Sequence, residues 1–361
     1  MIYSAGMEIN RKKALDFWGG LIDNLFLTVP RLLMPFKSQA HVLDREEYEA
    51  AVNFYIDNGF TDYPETFFNL PAAVPKYRLA EERPYHQGKC QLWTYASEYV
   101  PRNPVIRDRY LACQNNRAGY LVRWTHGDHP RPTVLCLHGY MLGKPRQAER
   151  MFNIRKLFER GLDAALFVTP FHWRRAPAAR AERGIFLQPD NVAMTAECLG
   201  QAMHDLAATT HILTNLGAER IGLIGASLGG YNAALFAGLS DRPEFSALMV
   251  PAINFSAPFG PDDVKLPYSI EADLAEKIRR VWEFHSPLNL SPRIDTDDIL
   301  VIAARGDKLC PSRHTRKFCR QWQLSRCHFL TGGHWLIFNN RRRGAAWYNF
   351  LDEKGFNAEL S

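Results

Sequence analysis

Ile221-Gly222-Leu223-Ile224-Gly225-Ala226-Ser227-Leu228-Gly229-Gly230-Tyr231-Asn232-Ala233-Ala234-Leu235-Phe236 is the stretch on which the rest of the chain is read. A short apolar run ends in G-x-S-x-G and passes straight into a row of helix formers, so the pattern is strand, sharp turn, helix, with Ser227 at the apex. Such a turn strains the serine backbone and lifts the hydroxyl clear of the sheet. Small residues two positions to either side keep the turn from clashing with the neighbouring strand and helix. The five-residue pattern alone would occur by chance in about one chain in ten of this length. An incidental serine in a glycine-rich turn, however, has no reason to fall between an apolar strand and the head of a helix.

Outward from this turn, between Thr133 and Trp347, short β-rich runs alternate with amphipathic helical stretches, which predicts a mainly parallel sheet covered by helices on both faces. Strands are expected at 134–137, 164–168, 221–224, 247–250, 299–303 and 327–330, and helices at 147–160, 192–216, 229–239, 313–322 and 334–351. Upstream, 108–113 and 120–124 flank Asn115-Asn116-Arg117-Ala118-Gly119 and read as a hairpin leading into the parallel series.

Sites in such sheets form beyond the carboxyl ends of the strands, which selects among the polar residues. The strand at 134–137 runs into His138-Gly139-Tyr140-Met141-Leu142-Gly143, a loop placed to give a main-chain N–H to a developing oxyanion. The donors expected are the amides of Tyr140 and Leu228, with His138 orienting the loop. The strand at 299–303 leads to Gly306-Asp307-Lys308, which favours Asp307 over Asp295, Asp297 and Asp298, all of which precede it. By itself Gly-Asp would pass as a surface turn. The last strand is followed by Gly333-His334, whereas His328 lies within that strand and His314 in the preceding helix. Serine, aspartate and histidine thus follow one another in the order Ser227, Asp307, His334.

Gly225-Ala226-Ser227-Leu228-Gly229, His138-Gly139-Tyr140, Gly306-Asp307-Lys308-Leu309-Cys310-Pro311 and Gly333-His334 together resemble the α/β-hydrolase superfamily, over roughly residues 108 to 351. Thr169-Pro170-Phe171-His172-Trp173-Arg174-Arg175-Ala176-Pro177 is similar to the Pro-aromatic-Arg-Pro turn of a poorly characterised subgroup. The resemblance implies a serine hydrolase acting on carboxylic esters. His334 would be the general base, Asp307 its partner and Ser227 the nucleophile, with an acyl-enzyme intermediate and no metal or organic cofactor. Acyl transfer or peptide hydrolysis would use the same triad, and a non-catalytic binding module on this fold is the other class to weigh.

Composition sets the outer bounds. Of 361 residues, 46% are hydrophobic and 23% charged, the balance of a globular chain rather than a disordered one. A net charge of +6 with scattered basic residues argues against nucleic acid as a partner. Seven cysteines without C-x-x-C spacing argue against a disulfide framework or structural zinc, and favour a reducing, cytoplasmic setting. The N-terminus lacks the basic and apolar regions of a secretory signal, and no membrane span is expected.

The expected organisation is an extension at 1–100, hydrolase core at 101–255 and 293–361, and a cap inserted at 256–292. Arg174, Arg175, Arg180 and Arg183 follow the strand at 164–168, so Arg174 and Arg175 are candidates to receive an anionic group on the substrate. At 14–29 a helical pattern puts Leu15, Trp18, Leu21, Ile22, Leu25, Phe26 and Val29 on one side and Asp16, Gly20, Asp23, Asn24 and Leu27 on the other. With its basic flanks, the stretch at 14–36 could lie on a membrane and bring the enzyme to a lipid-like, long-chain ester. Packing of the apolar face against the chain's own domain is the favoured alternative. Oligomeric state is left open by the sequence.

Overall fold

The computed structural model describes residues 14–21, 23, 43–127, 129–178, 186–188, 190–255 and 270–357. Among the described residues nine strands form one sheet in the order β1-β2-β3-β5-β4-β6-β7-β8-β9. They are β1 Tyr77–Tyr85, β2 Gly88–Ala96, β3 Ala118–Thr125, β4 Arg131–Leu137, β5 Asp163–Phe167, β6 Ala218–Ala226, β7 Phe245–Met249, β8 Ile299–Ala304 and β9 Arg326–Leu330. The first three pair antiparallel, β3 is antiparallel to β5, and every pairing from β5 to β9 is parallel.

Two-residue alternation explains why the central strands are apolar throughout. Leu135, Leu137, Ala165, Phe167 and Leu223 enter one core layer, and their neighbours Val134, Cys136, Ala164, Leu166 and Ile224 enter the other. The first layer is closed by α2 Arg45–Asp57, α3 Pro104–Leu111, α6 Val192–Asn215, α7 Leu228–Leu239, α8 Ala272–Phe284 and α9 Ser312–Gln321. The second is closed by α4 Pro145–Met151, α5 Ile154–Glu159 and α10 Asn340–Glu353. α1, helical at residues 14–21 and 23, stands apart from both layers at the carboxyl edge of the sheet.

The strands expected from 134 onward are all present. The helix expected at 147–160 is broken into α4 and α5 at Asn153, whose φ of 50° is left-handed. The helix expected from His334 starts only at Asn340, leaving His334 on a loop.

The hairpin expected at 108–124 is a correction. Pro104 at the first turn and Asn103, whose side chain accepts from Val105 N–H, start α3, which buries Ile106 and Tyr110 one turn apart. The partner of β3 is instead β2, itself joined to β1 by a tight turn at His86-Gln87. The sheet therefore begins well before residue 101. β1 is nearly all solvent-facing, and its Glu81, Glu82, Arg83 and Pro84 suit an edge strand that must not recruit another. Of the cap expected at 256–292, residues 256–269 lie outside the described ones. The helix after them, α8, packs on α2 and α6.

Candidate active site

Ser227 sits between β6 and α7 with φ 56° and ψ −115°, a strained conformation for a residue with a side chain. Its N–H donates to Met249 O at 3.0 Å, which ties the turn to β7. Glycine is required on both sides: a Cβ on Gly225 would lie 2.1 Å from Gly229 O, and one on Gly229 would lie 1.8 Å from Leu137 O. The turn is thereby pressed against the end of β4, where the 138–143 loop begins.

Asp307 follows β8 and His334 follows β9, both at the edge that carries Ser227. His334 Nε2 is 3.0 Å from Ser227 Oγ, and His334 Nδ1 is 2.8 Å from Asp307 Oδ2. The other oxygen of Asp307 accepts from the main-chain N–H of Leu309 at 2.9 Å and of Cys310 at 2.6 Å, which fixes the carboxylate. Burial alone would strip the proton from His334. Cys310 and the Asp307 carboxylate outweigh it, and the imidazole holds its proton well above the ordinary value of 6.5. Asp307, Cys310 and His334 also converge closely enough to hold an ion, but Asp307 and His334 are already engaged in the chain that ends on Ser227.

The 138–143 loop runs alongside the serine. A Cβ on Gly139 would lie 3.5 Å from Ser227 Cβ, so the main chain leading to Tyr140 borders the hydroxyl. Burial pushes His138 down to about 4, so it is neutral. Its Nδ1 donates to Gly139 O at 2.9 Å and its Nε2 accepts from Thr169 N–H at 3.1 Å, an orienting arrangement. The Tyr140 ring meets His172 edge-on, and Leu228 is buried at the head of α7.

The sheet fold matches solved structures. Acetyl xylan esterase 1 from Thermoanaerobacterium sp. JW/SL YS485 superposes with a TM-score of 0.57 at 15% identity, covering 89% of this chain and 95% of that one. Acetyl xylan esterase from Paenibacillus sp. R4 gives 0.56 at 16% identity, over 88% and 98%. The chain has the α/β-hydrolase fold. The model of an uncharacterised protein family, UPF0227, matches residues 186–326 of this hydrolase-fold chain, from before α6 to the start of β9. Two uncharacterised proteins of Mycobacterium tuberculosis, MT2702 and Rv2627c, are each 25% identical over 303 residues, covering 82% of the chain and 72% of their own length.

Arg174 and Arg175, expected to meet substrate, make contacts within the chain. Arg175 is fully buried, with its guanidinium on Val168 O at 3.1 Å, Asn116 O at 3.0 Å and Asp205 Oδ2 at 2.6 Å. Burial would raise Asp205, yet Arg175, with His204 and Ser97, holds it below the usual aspartate value. Arg174 pairs with Glu81 at 2.6 Å. Glu81 is on β1, five strands from β6, so this pair lies roughly 24 Å across the sheet from the Ser227 strand. Phe171, with a φ of 59°, lies between the strand and these arginines. Arg180 and Arg183 lie outside the described residues.

The residue sequence reasoning missed is Asp23. Its carboxylate, fully buried, accepts from His334 N–H at 2.8 and 2.9 Å and from Lys308 N–H at 3.0 Å, so it joins the loops bearing the acid and the histidine. The signal was present as the spacing Asp16, Gly19, Gly20, Asp23 on one side of a helix. The inward face of α1 is this polar one, whereas Phe17, Trp18 and Leu21 are exposed, which reverses the packing expected from amphipathicity.

Proposed function

We propose that the chain is a serine hydrolase that cleaves carboxylic esters through an acyl-enzyme. The carrying observation is the unbroken chain Asp307 Oδ2, His334 Nδ1, His334 Nε2, Ser227 Oγ, at 2.8 and 3.0 Å, on a serine held in a strained turn. His334 takes the serine proton as Oγ attacks the carbonyl, and Asp307 fixes the tautomer and stabilises the imidazolium. The amides of Tyr140 and Leu228 receive the oxyanion. They are main-chain groups, one on the loop after β4 and one at the head of α7, and need no reorganisation as charge develops. His334 then returns the proton to the leaving alcohol, and water, activated by the same histidine, releases the acid.

Apolar side chains next to these groups favour an ester with a hydrophobic acyl part. Met141 adjoins the Tyr140 amide, Leu336 and Phe338 follow His334, and all three are exposed. A lipid-like substrate presented at a membrane surface is the extended form of this reading, supported by Phe17, Trp18 and Leu21 on the outer side of α1. No helix among the described residues is long and apolar enough to cross a membrane. Ser227→Ala is expected to abolish both p-nitrophenyl ester hydrolysis and labelling by a fluorophosphonate, with the circular dichroism spectrum unchanged. Labelling of the alanine variant at the original rate would refute the assignment. Adding an alcohol acceptor to the assay separates hydrolysis from acyl transfer.

A further inference from the structure

We infer that Asp23 is a positioning residue for the Ser227 reaction, and that α1 acts as a clasp holding the Asp307 loop and the His334 loop in register. The inference rests on the serine-hydrolase reading above. Its physical basis is a set of short contacts made by one side of one helix with two loops far away in sequence.

Asp23 spans the two loops with a single carboxylate: Oδ2 accepts from Lys308 N–H, immediately after Asp307, and both oxygens accept from His334 N–H. Trp335 N–H is 3.3 Å from Oδ1. One turn-pair earlier on the same side, Asp16 Oδ1 accepts from Gly332 N–H at 2.9 Å and Oδ2 from Arg305 Nε at 3.1 Å. Each loop is thus held twice, once before and once after its triad residue.

Between the two acids the helix approaches to backbone contact. A Cβ on Gly19 would lie 2.2 Å from Gly333 N, one on Gly333 would lie 2.4 Å from Gly19 O, and one on Gly306 would lie 2.2 Å from Asp16 O. Glycines on both partners are what permit the two carboxylates to reach main-chain amides. The strands supply only the edge: Asp307 and His334 leave β8 and β9 on loops, and in these loops a direct link is Gly306 N–H to Gly332 O at 2.8 Å. Without the clasp the 3.0 Å reach from His334 Nε2 to Ser227 Oγ would depend on that link, the contacts of Arg305 with Phe329, Leu330 and Thr331, and the Asp307 bond.

Asp23 also brings a carboxylate to the main chain of His334. The groups facing His334 are Asp307 and Cys310 from the loop after β8 and Asp23 from the N-terminal segment, with Arg305 and Lys308 the nearest cations on these loops. An anion at Asp23 favours the imidazolium that forms as serine attacks.

The test uses the full chain with p-nitrophenyl butyrate, comparing Asp23→Asn, Asp16→Ala and Ser227→Ala. Asp23→Asn keeps the shape but removes the charge and one acceptor. It is expected to lower kcat about 10²-fold, the cost of a misplacement near 1 Å, with KM little changed. The rising limb of its kcat/KM against pH should move to lower pH. Asp16→Ala removes a partly exposed pair and is expected to lower kcat without raising KM, which keeps the test decisive if Asp23→Asn does not fold. Wild-type kcat in the folded variants, or losses that track only the folded fraction with an unmoved pH limb, would overturn the clasp. If Ser227→Ala stays active, the hydrolase reading itself fails. An inactive Ser227→Ala beside a fully active Asp23→Asn sinks the clasp alone.

Discussion

Replacing Arg175 by methionine separates two readings of the same residue. If it receives an anionic substrate, the loss is in binding; if it is a buried strut, the loss is in stability. Methionine leaves the Asp205 carboxylate in a fully buried site with Ser97 Oγ at 2.6 Å and His204 Nδ1 at 3.4 Å, and also frees the carbonyls of Val168 and Asn116. Removing one partner of a buried pair costs about 3–5 kcal/mol. An unfolding entropy of about 2.1 cal/mol/K per residue across the whole chain comes to ~0.76 kcal/mol/K, so Tm should fall by about 4–7 °C. Charge reversal at Arg174, half-exposed, paired with Glu81 and set over the Trp173 ring, should cost no more than about 1 kcal/mol, or ~1 °C. The assay is differential scanning calorimetry on both variants, with KM for a neutral ester and for an ester of similar size bearing a carboxylate. The buried-strut account requires the neutral-to-anionic ratio of KM to stay at the wild-type value in both. An unchanged Tm for Arg175→Met together with a selectively raised KM for the anionic ester would refute it.

Two further outcomes bear on the chemistry. The imidazole of His334 must be neutral to accept the serine proton, and its pKa is raised, so kcat/KM for a neutral ester should fall as pH drops through an apparent value above 6.5. A rising limb centred at or below 6.5 would contradict the environment described. Asp307→Asn keeps the shape but lets the histidine take the wrong tautomer, and kcat should drop on the order of 10⁴-fold by analogy with the serine-protease case. Near-normal turnover in steady-state kinetics would place the orienting acid elsewhere.

The sequence by itself determined the parts that local pattern controls. Gly225-Ala226-Ser227-Leu228-Gly229 between an apolar strand and a helix is legible because the clashes that demand glycine are with residues close in the chain or at the end of the adjacent strand. Asp307 and His334 were found because a position just past a strand is a sequence property, and in a parallel sheet all such positions share one edge. Only the tertiary structure decided which partners those edges meet. β1 escaped notice because an edge strand faces water, so Glu81, Glu82 and Arg83 carry no apolar period. Arg175 and Arg174 are adjacent and chemically alike, yet one is buried on Asp205 and the other pairs at the surface with Glu81, a difference set by residues 30 and 93 positions away. The 14–23 segment shows the same limit most plainly. Its apolar side predicted the inward face, but hydrophobic burial is not directional, whereas main-chain amides on the 306–308 and 332–335 loops are fixed in space. Two carboxylates at the right spacing therefore turned the polar side inward.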